Sequence, residues 1–394
     1  MDQTLLKCVS SRLLSPWQAG RVRHRLFATT LALGAMVNPL AALAEEDVAE
    51  SVLQQQETGD SVQRKNVIFI TWDGVRPQEF AGLRDPKLSL PSDEPLLPYF
   101  HEYLAPRGSV YGIAGHPRAV SINPSLISLP AYQTIMAGAP VSCVSNKCKS
   151  IKSETFPERL VREAQLPYAK VAMIGSWENL RYAAAREGEP FFVNTGMSPV
   201  PPVFEDEVTR EIQALSEADR PSWPSARYDK YTQQLALHYL KRYQPNFLMI
   251  GFNDSDEYGH KGDYESHTRT LNQYDKWLQE LMETLAAMDS YGPNTCLFIT
   301  TDHGRGEGKN WRNHSSVVPA AARIWLYGSC NLFGETADQP MKQAKRATNL
   351  AIRPTIESLM GLAPHRCVLC DKPLPEFKGV AANSLSFEPN YKEE

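Results

Sequence analysis

Five short apolar runs without a polar face constrain this chain most: Asn66–Trp72, Lys170–Trp177, Asn246–Phe252, Cys296–Thr301 and Arg323–Tyr327. A strand with one wet face alternates apolar and polar side chains. These runs are apolar nearly throughout, as strands of a sheet covered on both sides must be. Helical patterns lie between them, at Tyr228–Tyr243 and at Tyr264–Met288, where Leu271, Tyr274, Leu278, Leu281 and Leu285 recur at helical spacing. Strands alternating with helices predict an α/β fold: a doubly wound, mostly parallel sheet with helices on both faces. Pro-rich stretches at 84–98, 198–203 and 219–224 read as excursions from that core. No repeat and no clean boundary divides residues 65–394, which read as one domain.

The first 44 residues have the order of a secretory leader. Lys7, Arg12, Arg21, Arg23 and Arg25 precede an apolar run from Leu26 to Val37, and Ala42-Leu43-Ala44 follows as a small-x-small cleavage signal. The apolar run is shorter than the ~20 residues a membrane span needs, and Asn38-Pro39 interrupts it. Cleavage is therefore expected, leaving no integral membrane association and a periplasmic or secreted protein. Residues 45–64 are polar and without apolar period, and read as a flexible linker.

Six cysteines follow the leader: Cys143, Cys148, Cys296, Cys330, Cys367 and Cys370. An even number in an exported chain suggests disulfides. The local pairs Cys143–Cys148 and Cys367–Cys370 are the simplest, which leaves Cys296 with Cys330. Cys296 also reads as a buried core thiol, and the CxxxxC and CxxC spacings as zinc ligands. The net charge of −4 argues against nucleic-acid binding.

Acidic and histidine groups gather where the apolar runs end. Asp73 follows the first run. Asp254 and Asp256 follow Phe252, with His260 four residues beyond Asp256. Asp302 and His303 follow Thr301, and His314 lies in the next loop. Each is ordinary alone: an Asp-Gly is commonly a turn. Ligands, however, collect outside the carboxyl ends of strands in an open α/β sheet. Several carboxylates brought together there need compensating cations. Mixed carboxylate and imidazole donors suit Zn²⁺, with Mn²⁺ or Fe²⁺ as alternatives. His101, His116, His238 and His267 read as structural.

Ser125 and Ser128 are the candidate nucleophiles. Pro130 fits the first turn of a helix, placing Ser128 at its N-terminus. A serine there is ordinarily a helix cap. The same position favours a phosphate or a forming alkoxide, and a neighbouring metal would activate the hydroxyl.

The ordered set Trp72-Asp73-Gly74, Ser128-Leu-Pro-Ala-Tyr132, Asp256-Glu-Tyr-Gly-His260, Thr301-Asp302-His303-Gly304 and His314 resembles the alkaline phosphatase superfamily. It is most similar to the nucleotide pyrophosphatase/phosphodiesterase branch and to exported bacterial proteins of a phosphoglyceromutase-like type. The resemblance spans roughly residues 65–365. It implies an alkaline phosphatase-like fold and two divalent metal ions. Asp256, His260 and His314 would hold one ion. Asp73, Asp302 and His303 would hold the other, with Ser128 bridging toward both as nucleophile. Asn146 would donate to a phosphoryl oxygen, and Asp254 would stand behind the ligands or be a spare carboxylate.

Two departures bear on substrate. The pyrophosphatase branch carries Thr followed by Phe-Pro-Asn-His, where this chain has Ser128-Leu-Pro-Ala-Tyr. Sulfatases need an Arg two residues after the Pro, where this chain has Tyr132. The expected activity is hydrolysis of a small phosphorylated substrate by a phosphatase or phosphodiesterase. The alternatives are a metal-dependent phosphotransferase or mutase, and a catalytically idle metal-bearing envelope protein. Arg76, Arg118 and Arg305 are candidates to clamp the phosphate, although loop arginines are commonly solvated.

Overall fold

The computed structural model describes residues 64–89, 94–223, 225–336 and 343–377. The leader expected over 1–44 lies outside the described residues, as does the expected linker apart from Arg64.

Ten strands occur among the described residues. They are β1 (Asn66–Trp72), β2 (Ser109–Tyr111), β3 (Arg118–Val120), β4 (Val171–Gly175), β5 (Phe192–Thr195), β6 (Phe247–Phe252), β7 (Thr295–Thr300), β8 (Arg323–Ile324), β9 (Leu326–Ser329) and β10 (Arg346–Thr348). The main sheet has the order β2-β9-β7-β1-β6-β4-β5, and a small sheet the order β10-β3-β8. From β7 to β5 every pairing is parallel. At one edge β9 alone is reversed, running antiparallel to both β7 and β2.

Central β1 explains the missing polar face. All of its residues are buried, and alternate side chains enter different cores. Val67 and Phe69 pack with Leu129, Ile135, Phe156 and Ile356. Ile68, Ile70 and Trp72 pack with Leu235, Leu240, Leu271 and Leu278. A two-residue period with helices on both sides leaves neither face of the strand open to water.

The helices are α1 (Ser128–Ala137), α2 (Phe156–Glu163), α3 (Glu207–Ala218), α4 (Asp229–Tyr243), α5 (Asp254–Lys261), α6 (Tyr264–Ala286) and α7 (Ile352–Leu359), besides shorter turns. Helices α1, α2 and α7 contribute to the first core, α4 and α6 to the second. The doubly wound α/β expectation therefore holds. Helices α4 and α6 match their expected spans to within the fraying of helix ends.

One strand differs from expectation. The run Arg323–Tyr327 is not a single strand of the parallel sheet. Its first two residues join the small sheet, and the chain continues from Leu326 as antiparallel β9. Trp325 makes the switch. Its indole N–H donates to the Val75 carbonyl at 3.0 Å, and its ring stacks on Phe80 with centroids 3.6 Å apart. The three-residue strands β2, β3 and β10 are too short to carry a sequence pattern.

The three cysteine pairs are bridged as Cys143–Cys148, Cys296–Cys330 and Cys367–Cys370. Cys296 is thus not a free core thiol. It lies in β7 and ties that strand to the residue following β9. Among the described residues no helix is long and apolar enough to cross a membrane.

Candidate metal centre

Strands β7, β1 and β6 are neighbours, so their carboxyl ends open onto one place. Among the five parallel strands the order runs from β1 out to β4 and β5, back to β6, then across to β7 on the other side of β1, with β2 and β3 formed elsewhere between β1 and β4. That reversal of winding direction is where α/β sheets form ligand crevices. Asp73 leaves β1, Asp302 and His303 leave β7, and β6 leads into α5, which carries Asp256 and His260.

The sequence-predicted donors form two groups, each with its ligand atoms within 4.8 Å of one another: Asp73, Asp302 and His303, and Asp256, His260 and His314. The first group is buried. The second opens outward, with the His260 side chain 46% exposed. Asp256 and His260 are one helical turn apart on α5, and their Oδ2 and Nε2 atoms lie 3.0 Å apart.

Backbone contacts set the imidazole tautomers. His303 donates from Nδ1 to the Gly304 carbonyl at 3.0 Å, and His314 donates from Nδ1 to the Leu126 carbonyl at 2.9 Å. Each Nε2 is then a lone pair. The His303 lone pair faces Asp302 Oδ2 at 3.4 Å and Asp73 Oδ1 at 3.6 Å. Both of those carboxylate oxygens are buried without a hydrogen-bond donor. The His314 lone pair lies 3.1 Å from His260 Nε2. The buried acceptors that face one another around His303 are costly to leave so. A divalent cation there would resolve that conflict, and the nitrogen and oxygen donors of both groups suit such an ion.

Electrostatics agree. Burial, with Asp302 and Asp256 nearby, holds Asp73 well above the usual carboxylate range. Burial and Asp256 push Asp302 up to about 7. For Asp256 burial also opposes the charge, but Arg305 and His260 outweigh it and hold the group well below that range. Burial lowers His303 to about 4. Burial and His303 lower His314 to about 3, so both rings are neutral near pH 7. Ionising all three carboxylates beside one buried guanidinium would leave an excess negative charge, which bound cations would balance.

Gly74 is required here by geometry. Its φ is +66°, and a Cβ would come within 2.2 Å of Asp256 Oδ1. Its amide donates to Asp302 Oδ1 at 3.1 Å, leaving Oδ2 toward His303.

Ser128 begins α1 but does not cap it. Ile127 is the N-cap residue, and the Ser128 hydroxyl instead lies 3.3 Å from His303 Nε2. The preceding Leu126 has φ +50°, an uncommon conformation for a non-glycine residue that recurs at functional sites. Its carbonyl is the one that orients His314. Asn146 reaches the same helix end, where its Oδ1 accepts the Leu129 amide at 2.9 Å. The Ser128 segment is therefore gripped from both sides, by His314 and by Asn146. Ser125 is turned into an Asx-type turn, its amide bonded to Asn123 Oδ1 at 3.0 Å.

Arg76 and Arg305 are buried rather than solvated. Arg305 pairs with Asp256, and Arg76 with Glu79 and Asp85. Arg118 is exposed in β3. Asp254 joins neither donor group. It begins α5, and its Oδ2 accepts the Asp229 amide at 3.2 Å.

Two residues went unrecognised as site residues in the sequence. The Tyr132 hydroxyl donates to Asp73 Oδ2 at 3.1 Å, which leaves Oδ1 as the free donor. Its position one helical turn after Ser128 was the available signal. Asp229, the first residue of α4, accepts the amides of Asn253 and Asp254, both at 2.8 Å. It caps the ligand helix from another helix, which no local pattern announces.

Residues 192–322 match the Metalloenzyme superfamily. That stretch holds Asp256, His260, Asp302, His303 and His314, while Asp73 and Ser128 precede it. Comparison with curated proteins finds no match. Among solved structures, the chain is similar to a candidate sulfatase from Bacteroides thetaiotaomicron, with a TM-score of 0.53 at 14% identity over 77% of this chain and 72% of that one. A protein in the alkaline phosphatase superfamily from Vibrio parahaemolyticus gives 0.48 at 13% identity over 82% and 75%. The phosphonate monoester hydrolase of Agrobacterium radiobacter gives 0.46 at 12% identity over 76% and 74%. The superfamily segment is built into the same sheet that delivers the remaining donor, and the chain shares the α/β fold of that sulfatase-like structure.

Proposed function

We propose that this chain is an exported hydrolase of small phosphate esters, a phosphatase or phosphodiesterase, with Ser128 as nucleophile. One observation carries the reading: the Ser128 hydroxyl, free of any capping role, lies against His303 at the N-terminus of a buried helix. Asp73, Asp302 and His303 would hold one divalent ion, and Asp256, His260 and His314 another, with zinc the best fit to these donors. When bound, the ions would supply Lewis-acid stabilisation of the attacking and leaving oxygens.

The chain's own residues do the rest. Ser128 Oγ attacks phosphorus in line, and the ester oxygen leaves. Water then attacks the phosphoseryl group, restoring the hydroxyl and releasing phosphate from a monoester substrate or a phosphate monoester from a diester. Asn146 spends its carbonyl oxygen on the Leu129 amide, so its Nδ2 is the group left to donate to a phosphoryl oxygen. The α1 N-terminus favours the negative phosphoryl group. Tyr132 orients Asp73 at the position where a sulfatase would carry its Arg, which supports a phosphate rather than a sulfate ester. The basic, apolar and small-residue order of the first 44 residues and the three disulfides support export.

The test is elemental analysis of the purified protein, with the same sample assayed on paired monoester and diester chromogenic substrates. About two zinc-like ions per chain with turnover is the expected result. The preferred substrate then decides between phosphatase and phosphodiesterase. Absence of metal and of turnover after metal loading would overturn the proposal.

A further inference from the structure

A second set of metal-type donors lies away from the centre, in the loop after α7. His365, Cys367 and Cys370 each offer a ligand atom within 4.8 Å of the others. The cysteines are joined as a disulfide. We propose that this loop is a redox-gated site for a soft divalent cation such as Zn²⁺, closed as the disulfide and opened by a thiol reductant.

The bridge adds little as a staple. It spans three positions, and the turn inside it is already closed by the Cys370 amide donating to the Cys367 carbonyl at 3.2 Å. Stabilisation by a disulfide grows with the loop it closes. By that measure Cys296–Cys330, with a separation of 34, is the structural bridge. Exposure differs in the same sense. Cys296 is fully buried, whereas Cys367 is exposed and its neighbour Val368 is 100% exposed. Exposed disulfides are those that thiol exchange reaches.

Reduction leaves a competent donor set. The two sulfurs take up two electrons and two protons, and two reductant thiols become a disulfide. Cation binding then expels both cysteine protons. Thiolates at C-x-x-C spacing on a tight turn bind at metal–sulfur distances of about 2.3 Å, so the sulfurs need separate only to about 3.8 Å, a tetrahedral edge. His365 is held in place to supply the third donor, since its amide donates to the buried Glu357 carboxylate at 2.6 Å. Asp371 next in the chain is committed to Thr348 and Lys372. The fourth position falls to water or to a ligand from another molecule.

Cobalt(II) titration of the full chain after mild anaerobic reduction tests this. Thiolate ligands give sulfur-to-cobalt charge-transfer absorption, which the oxygen and nitrogen donors of the principal centre cannot produce. The outcome is therefore independent of the proposed hydrolase. The band is expected in the reduced protein, absent from the unreduced protein, absent from the Cys367→Ser/Cys370→Ser variant and retained in Cys143→Ser/Cys148→Ser. His365→Ala should weaken cobalt binding about tenfold or more. No band in the reduced wild type, or a band that survives Cys367→Ser/Cys370→Ser, overturns the site. Unchanged affinity in His365→Ala overturns the three-donor assignment.

Discussion

The His314 ring donates to the carbonyl of Leu126 at 2.9 Å, so a metal-type imidazole and the segment ahead of Ser128 hold each other in place. Leu126 takes a positive φ that sets its carbonyl toward His314 two residues before Ser128. His303, stacked on His314 with centroids 3.9 Å apart, lies against the Ser128 hydroxyl. The two histidines and the Ser128 segment are thus one mechanical unit.

Tyr132→Phe removes the hydrogen bond to Asp73 Oδ2 while keeping the ring in its core. Outer hydrogen bonds of this kind are worth roughly 10–100-fold in metal affinity or activity. Zinc affinity measured by chelator competition should fall by about that much with the melting temperature nearly unchanged. An unaltered affinity would show that Asp73 needs no such orientation.

Removing metal should destabilise the protein, because it leaves Asp73, Asp256 and Asp302 close together with Arg305 as the partner cation. A ligand at a thousand times its dissociation constant contributes on the order of 4 kcal/mol. Calorimetry with and without chelator should show a drop of several degrees, restored by zinc. Asp302→Asn should already resemble the chelated protein and respond little to zinc.

Asp229→Ala deprives the amides of Asn253 and Asp254 and the Tyr274 hydroxyl of their acceptor. Buried unsatisfied groups cost ~1–3 kcal/mol each, so a loss of roughly 2–4 kcal/mol in denaturant unfolding is expected. The ligand helix should loosen with it. Metal stoichiometry should fall at sub-saturating zinc, and Asp229→Asn, which keeps one acceptor, should lie between. A folded Asp229→Ala protein with wild-type zinc affinity would remove Asp229 from the account.

The Cys143–Cys148 bridge closes the loop that carries Asn146. The Cys143→Ser/Cys148→Ser variant should keep its metal and lose kcat about tenfold, the scale of one loosened oxygen-binding donor well below its full ~10²–10³ effect. Equal kcat in variant and wild type would mean that Asn146 is held by Leu129 alone or does not act.

Much of this was legible because the central strands are buried on both faces. β1, β6 and β7 show as unbroken apolar runs, and the acidic and histidine residues just beyond them fall at one end of the sheet by topology alone. Helices α4 and α6 were legible from their period. What stayed hidden depends on contacts between distant segments. Asp229 lies 24 residues from the Asn253 amide it accepts. Arg305 reads as a loop arginine until Asp256 and the carbonyls of Trp311 and Arg312 close around it. The break at Trp325 is set by Val75 and Phe80, far earlier in the chain.

The most direct test of the central claim is turnover by zinc-loaded Ser128→Ala, with metal content measured on the same sample. The account predicts a metal content equal to wild type and a rate lower by about 10²-fold or more, as for loss of an activated nucleophile, while Ser125→Ala stays within a few-fold of wild type. Full turnover in Ser128→Ala, or its loss in Ser125→Ala alone, would contradict the assignment of Ser128.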